Sequence, residues 1–280
     1  MACRSMRRRR WRAARRAKAA ATATSVTSTA THEEGAPAVA SSAPAAVTPL
    51  VVQLLAGNPA TAVALLQLLN TVDATALRRL HPVVGVAVET LPWCDRETRV
   101  VDVMRWRASF PAATGARLLR LNPAVTAATL AGLTYLDVSG RAMVKVTDDF
   151  IRHLPPTLRT LDVHGCSRLF GAVSFAHLPA LETLDCSNTG IGNSAIATLP
   201  PTLRELRANY CDVSTGADFR HLRALRALKC SLLASHNVIL CCGNLPSSLE
   251  VLELVGFGLK SQGAPFAHLA LRTLWLQFCQ

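Results

Sequence analysis

Aromatic side chains are scarce in this 280-residue chain, at 5% of the total, so any packed core must come from leucine, valine and alanine. Long apolar runs are also missing. Gly57-Asn58-Pro59 splits the longest candidate well short of the roughly 18 residues a membrane-spanning helix needs, and no span is expected. The nine cysteines include no CxxC pair, which argues against a zinc ribbon or a thioredoxin-type redox motif. There is no nucleophile elbow, glycine-rich phosphate loop or HExxH sequence, and the carboxylates are scattered rather than paired. No catalytic residue, cofactor or metal site is therefore expected, and an enzyme is the least favoured class.

Acidic residues are absent before Glu33, while residues 4–18 carry nine basic ones. They account for most of the formal net charge of +12; the remainder of the chain is only +3. A general nucleic-acid-binding face is thus not implied, and nucleic-acid contact is expected only through the tail. Residues 1–47 continue in Ala, Thr, Ser and Pro, and read as a disordered tail. An Arg-rich, acid-free start with Ser and Thr fits a mitochondrial presequence, a nuclear localisation or RNA-contacting arm, or a solvated tail with no address. The expected location is intracellular, with the cytoplasm first and the nucleus and mitochondrion as alternatives.

What is abundant is one repeated phrase. It occurs as LTYLDVSG, LRTLDVHGC, LETLDCSNTGI, LRELRANYCDV, LRALKCSLLAS, LEVLELVGFGL and LRTLWLQFC, starting at Leu133, Leu158, Leu181, Leu203, Leu225, Leu249 and Leu271. The steps are 25, 23, 22, 22, 24 and 22 residues. A fixed period in this range marks stacked repeats rather than a compact globule. The phrase LxxLxLxxCxL resembles the leucine-rich repeat. That resemblance covers residues 133–280 and implies an α/β solenoid: a parallel concave sheet, short convex turns or helices, and a protein partner held on the concave face. LxxLxL places Leu161 and Val163, or Leu206 and Ala208, on the buried side of a short strand. Seven stacked strands would span about 29 Å.

A longer order underlies the period. Phe175, Phe219 and Phe266 are 44 and 47 residues apart, which suggests a paired unit. Pro155-Pro156 and Pro200-Pro201 forbid a helix running into the next strand. Cys166, Cys211 and Cys279 share phrase position 9, and Cys186 and Cys230 share position 6. These are core phases, so reduced thiols acting as small hydrophobes are expected, in a reducing compartment. His153, His177, His221 and His268 recur in the phrase HL. That is repeat phase, and two strands' separation of about 10 Å is too wide for a shared zinc. The seventh phrase stops at Cys279-Gln280 with nothing after it, which suggests an array cut short or an end that meets a partner.

Residues 48–132 read as an N-terminal helical cap for the array. Asn58-Pro59 opens one helix. Asp73 is expected to cap a second, which His81-Pro82 ends, and Asp95 to cap a third containing Val100, Val103, Met104 and Trp106. The stretch ALLQLLNTVDATALRRLHPVVGVAVETLPW also resembles an F-box, although the usual leading LPxEL is absent. This resemblance implies a substrate receptor of a ubiquitin ligase that binds a Skp1-like adaptor through Leu65, Leu69, Leu77 and Leu80.

Candidate partner-binding residues follow from phrase position. Position 5 carries Asp137, Asp162 and Asp185, then Arg207 and Lys229, then Glu253 and Trp275. Arg204 and Arg226 lie beside them at position 2, and Tyr210 adds an aromatic contact. The face is expected to read acidic, then basic, then mixed. Stacked acids should repel each other, an arrangement tolerable where they are exposed or where they face a basic partner.

Overall fold

The structure, a computed structural model, describes residues 50–79, 81–121, 125–140, 143, 145–170, 173–232, 238–261 and 265–279. The basic tail and Leu80 lie outside the described residues. The chain from Leu50 begins with four short helices: α1 (Leu50–Gly57), α2 (Pro59–Leu66), α3 (Thr71–Arg78) and α4 (Pro82–Thr90). None of the helices described is long and apolar enough to cross a membrane. Asn58 caps α2 as expected: its side chain accepts from the Ala60 N–H at 2.8 Å, with Pro59 at the first helical position. The cap of α3 is Asn70, not Asp73. Asn70 accepts from the Asp73 N–H at 2.9 Å and donates its amide to the Asp73 carboxylate, also at 2.9 Å. Asp73 therefore sits in the first turn, where its negative charge suits the helix dipole.

Asp95 departs furthest from expectation. It lies in a strand, β1 (Trp93–Val100), and is 1% exposed. Its carboxylate accepts from the backbone N–H groups of Thr71 (2.6 Å), Glu97 (2.8 Å) and Thr98 (2.9 Å), which ties β1 to the start of α3. Burial pushes its acidity the other way, but these bonds outweigh it and hold the carboxyl below its ordinary value. The helix expected here starts later, as α5 (Val103–Ser109), capped by Asp102. A second strand, β2 (Ala113–Leu118), then pairs in parallel with β1. Residues 48–132 are thus not purely helical.

Beyond α6 (Ala127–Leu130), each of the seven phrases lands on a strand: β3 (Tyr135–Asp137), β4 (Thr160–Asp162), β5 (Thr183–Asp185), β6 (Glu205–Arg207), β7 (Ala227–Ser231), β9 (Val251–Val255) and β11 (Thr273–Gln277). Among the described residues they join β1 and β2 in one nine-stranded parallel sheet, ordered β1-β2-β3-β4-β5-β6-β7-β9-β11. A small separate pair, β8 (Ile239–Cys241) and β10 (Gly258–Lys260), is also parallel. Among the described residues the helices in the connections are all short, with α7 at Asp148–Arg152 and α8 at Asn193–Ile196. This matches the limit set by the paired prolines.

Register explains the core. Leu136, Leu161, Leu184, Leu206, Leu228 and Leu252 are consecutive cross-strand partners, and each is fully buried. The first leucine of each phrase from Leu133 to Leu249 is equally buried. Each such side chain contributes about 1.5–3 kcal/mol relative to exposure. Phe175 and Phe219 fill the layer behind the sheet. At the sheet edge, β11 has β9 as its strand neighbour, and Leu274 and Leu276 are 46% and 41% exposed.

Candidate interaction face

Strand alternation turns phrase positions 3 and 5 away from the leucine core. Position 5 forms one continuous column of cross-strand partners: Arg117, Asp137, Asp162, Asp185, Arg207, Lys229, Glu253 and Trp275. All seven residues expected from the sequence are therefore brought together. Arg117, the first member, lies on β2 and was not anticipated.

The three aspartates share a local task. The Oδ1 atoms of Asp137, Asp162 and Asp185 accept from the N–H groups of Ser139, His164 and Ser187 at 2.8, 2.9 and 3.0 Å. Each carboxylate therefore holds the chain where it leaves its strand. Their surroundings differ. Asp137 is 4% exposed and pairs with Arg117, Nε to Oδ2 at 2.8 Å. Asp162 and Asp185 have no ion-pair partner among the described residues. Burial and the charges of Asp137 and Asp185 raise the Asp162 carboxyl to about 6, against the opposing bond from the His164 N–H. Burial also lifts Tyr135 to about 12, helped by Asp137 and Asp162. The Arg96 guanidinium lies over the Tyr135 ring at 5.1 Å.

The expected basic block is largely neutralised. Arg207 pairs with Glu205 on its own strand at 2.7 Å, and Lys229 with Glu253 on the next at 2.6 Å. The position 2 column repeats the pattern. Glu182 pairs with both Arg159 and Arg204 (3.9 Å), and Glu250 with both Arg226 (3.2 Å) and Arg272 (3.2 Å). Two Arg–Glu–Arg triplets thus line the sheet, and the expected candidates Arg204 and Arg226 belong to them. Each triplet keeps one positive charge in excess, while in the position 5 column the charges without an ion pair among the described residues are those of Asp162 and Asp185.

Position 8 has a backbone pattern of its own in six of the seven phrases, Leu232 being the exception. Gly140, Gly165, Asn188, Tyr210, Gly256 and Phe278 all have positive φ there, from 53 to 130°. Glycine and asparagine adopt this region readily, but tyrosine and phenylalanine do so against steric strain. Tyr210 (φ 57°) is nevertheless 47% exposed and Phe278 77%. Beside them a polar ladder runs through Ser187, Asn209 and Ser231, with the Ser231 hydroxyl donating to Asn209 Oδ1 at 2.9 Å.

Other candidates lie elsewhere. Leu65, Leu69 and Leu77 are half-buried and pack against the chain's own core, while Leu68 and Val72 at the α2–α3 junction are 80% and 64% exposed. The ring nitrogens of His177 and His268 meet backbone carbonyls of the preceding connection, Ile151 at 2.9 Å and Leu245 at 3.3 Å. Among the described residues no group of three or more His, Cys, Asp or Glu side chains is arranged to hold a metal. A cleft of about 410 Å³, lined by Leu121, Val125, Leu130, Lys145, Phe150 and His153, opens beside α6 and α7.

Arg117, Arg159, Glu182 and Glu250 were missed. The last three lie at position 2 and become visible once the phrases are aligned. Arg117 lies in ATGARL, where alanine replaces leucine at positions 1 and 4. No family model matches the chain, and no curated protein is significantly similar to it.

Proposed function

We propose that the chain is a leucine-rich-repeat solenoid that binds a protein partner on its concave sheet face and catalyses no reaction. One observation carries this reading. Side chains from successive strands form an outward column in which Arg117, Asp137, Arg207, Lys229 and Glu253 are each in an ion pair, and of that column's charged residues Asp162 and Asp185 alone have no ion-pair partner among the described residues. The partner presents a lysine or arginine to these two carboxylates, and Tyr210 supplies an aromatic anchor. Reduced cysteines in core phases favour an intracellular setting.

The test is affinity purification with mass spectrometry, comparing the wild-type chain with Asp162→Asn/Asp185→Asn. Asparagine keeps the Oδ1 acceptor for the turn and removes only the charge. A protein captured by the wild type and lost from the folded double variant supports the reading; capture unchanged by the variant refutes it. The exposed Leu68 and Val72 favour a second reading, an F-box-type receptor that holds a Skp1-like adaptor with its N-terminal helices. Co-purification of such an adaptor, lost on Leu68→Asp, would support that alternative, and its absence from the purified material would remove it.

A further inference from the structure

Behind the column, at the junction of Asp185 and Arg207, two cysteines meet. Cys186 follows Asp185 and is buried; Cys211 comes from the next phrase and is half-buried. Their sulfur atoms are 4.0 Å apart. The chains carrying them are held in fixed register, with the Cys186 N–H donating to Arg207 O at 2.9 Å and the Asn188 N–H to Asn209 O at 2.7 Å. Cys186, like Cys166 and Cys230, directs its sulfur to a backbone carbonyl on the neighbouring phrase at 3.3 Å, and Cys211 directs its own to Cys186 O at 3.0 Å. Among the described residues neither Cys166 nor Cys230 has a second sulfur in contact, which sets the Cys186–Cys211 pair apart.

We infer that Cys186 and Cys211 are a peroxide-responsive thiol pair that closes to a disulfide between the third and fourth phrases. Bond formation requires the sulfurs to approach by about 2 Å, a displacement within the range of side-chain rotation. The two roles follow from position. Cys211 is reachable from solvent. The Cys186 thiol beside it, with help from Thr189, holds its pKa below the ordinary thiol value against the effect of burial. That same contact, together with burial, pushes Cys186 up and keeps it protonated. The Cys211 thiolate attacks one oxygen of hydrogen peroxide, breaking the O–O bond and leaving Cys211 sulfenic acid and hydroxide, which takes up a proton. The Cys186 sulfur then attacks the sulfenic sulfur, its proton leaves with the hydroxyl group as water, and the S–S bond forms. Two thiols lose two electrons in all, and one peroxide becomes two waters.

Tryptic mapping of the full-length chain tests this directly. Cleavage isolates Cys186 on residues 169–204 and Cys211 on residues 208–220, each as the single cysteine of its peptide. After peroxide treatment and alkylation under denaturing conditions, the two peptides are expected to appear linked, with two fewer of the nine cysteines alkylated. Dithiothreitol should restore both. With Cys186→Ser the link should vanish, and Cys211 should advance to sulfinic acid at the same dose. In the wild-type chain, unlinked peptides, Cys211 overoxidised without a link, or linkage of either cysteine to another residue would each overturn the inference. These wild-type results stand even if the variant does not fold.

Discussion

Replacing Asp162 by asparagine removes one negative charge from the centre of the column and leaves the turn intact, because an amide oxygen accepts the 2.9 Å bond from the His164 N–H as a carboxylate does. In the folded chain the carboxyl titrates at about 6 rather than its ordinary 3.8. The folded state therefore holds a proton more tightly than the unfolded state. By linkage, the stability contributed by that proton is complete below the ordinary value and is lost as pH rises through about 6. At 1.36 kcal/mol for each tenfold change in acidity, a wholly buried group would lose about 3 kcal/mol. Asp162 is only half-buried, and solvent screening reduces this to about 1–2 kcal/mol. The asparagine carries no charge at any pH, so D162N should be more stable than wild type by about 1–2 kcal/mol near pH 8 and nearly equal to it near pH 4. Urea unfolding at both pH values measures the difference. A variant no more stable near pH 8, or one with the same gain at both, would refute the claim that burial, helped by the neighbouring acids, raises the carboxyl.

Other residues test neighbouring parts of the argument. Arg117→Leu leaves Asp137, at 4% exposure, without its cation, and should cost about 2–4 kcal/mol in urea unfolding; adding Asp137→Asn should recover much of the loss. Leu206→Ala empties a fully buried core position and should cost about 2–5 kcal/mol; an unchanged melting curve would overturn the register. Tyr210→Gly relieves a strained positive φ and should alter stability by no more than about 1 kcal/mol, while weakening capture of the partner; a large destabilisation would show that the ring is a packing element.

Much of the sheet was legible because leucine spacing and strand alternation are the same information. Seven phrases predicted seven strands, and each fell where LxxLxL placed it. β1 and β2 were not legible. Trp93 and Ala113 are cross-strand partners at the start of these strands, and Ala113 stands 20 residues before Leu133. Both are buried, but without leucine at these positions the phrase cannot be recognised. Asp95 then looked like a helix cap, because a short polar side chain before apolar residues gives the same signal in either setting. On the open face, the column could be read from the phrases, but its pairing could not. Glu182 and Glu250 lie 22 to 24 residues from the arginines they join, so their pairing depends on strand register rather than local sequence.

This pairing sharpens the meaning of the exceptions. Along both columns an acid is generally matched by a cation on the same or an adjacent strand: Arg117 with Asp137, Arg204 with Glu182, Arg226 with Glu250, Lys229 with Glu253. Asp162 and Asp185 are adjacent cross-strand partners of like sign, an arrangement that costs rather than contributes stability. Local structure does not require the charge, because the hydrogen bond to the departing chain needs only an oxygen acceptor, which asparagine would provide. What aspartate adds at these positions is negative charge facing away from the core, and among the described residues no cation forms an ion pair with it. A cationic group from outside the chain would lower the Asp162 carboxyl from about 6 on binding and offset the repulsion. Binding through this site should therefore strengthen as pH rises through that value, over the same range in which the free chain loses stability.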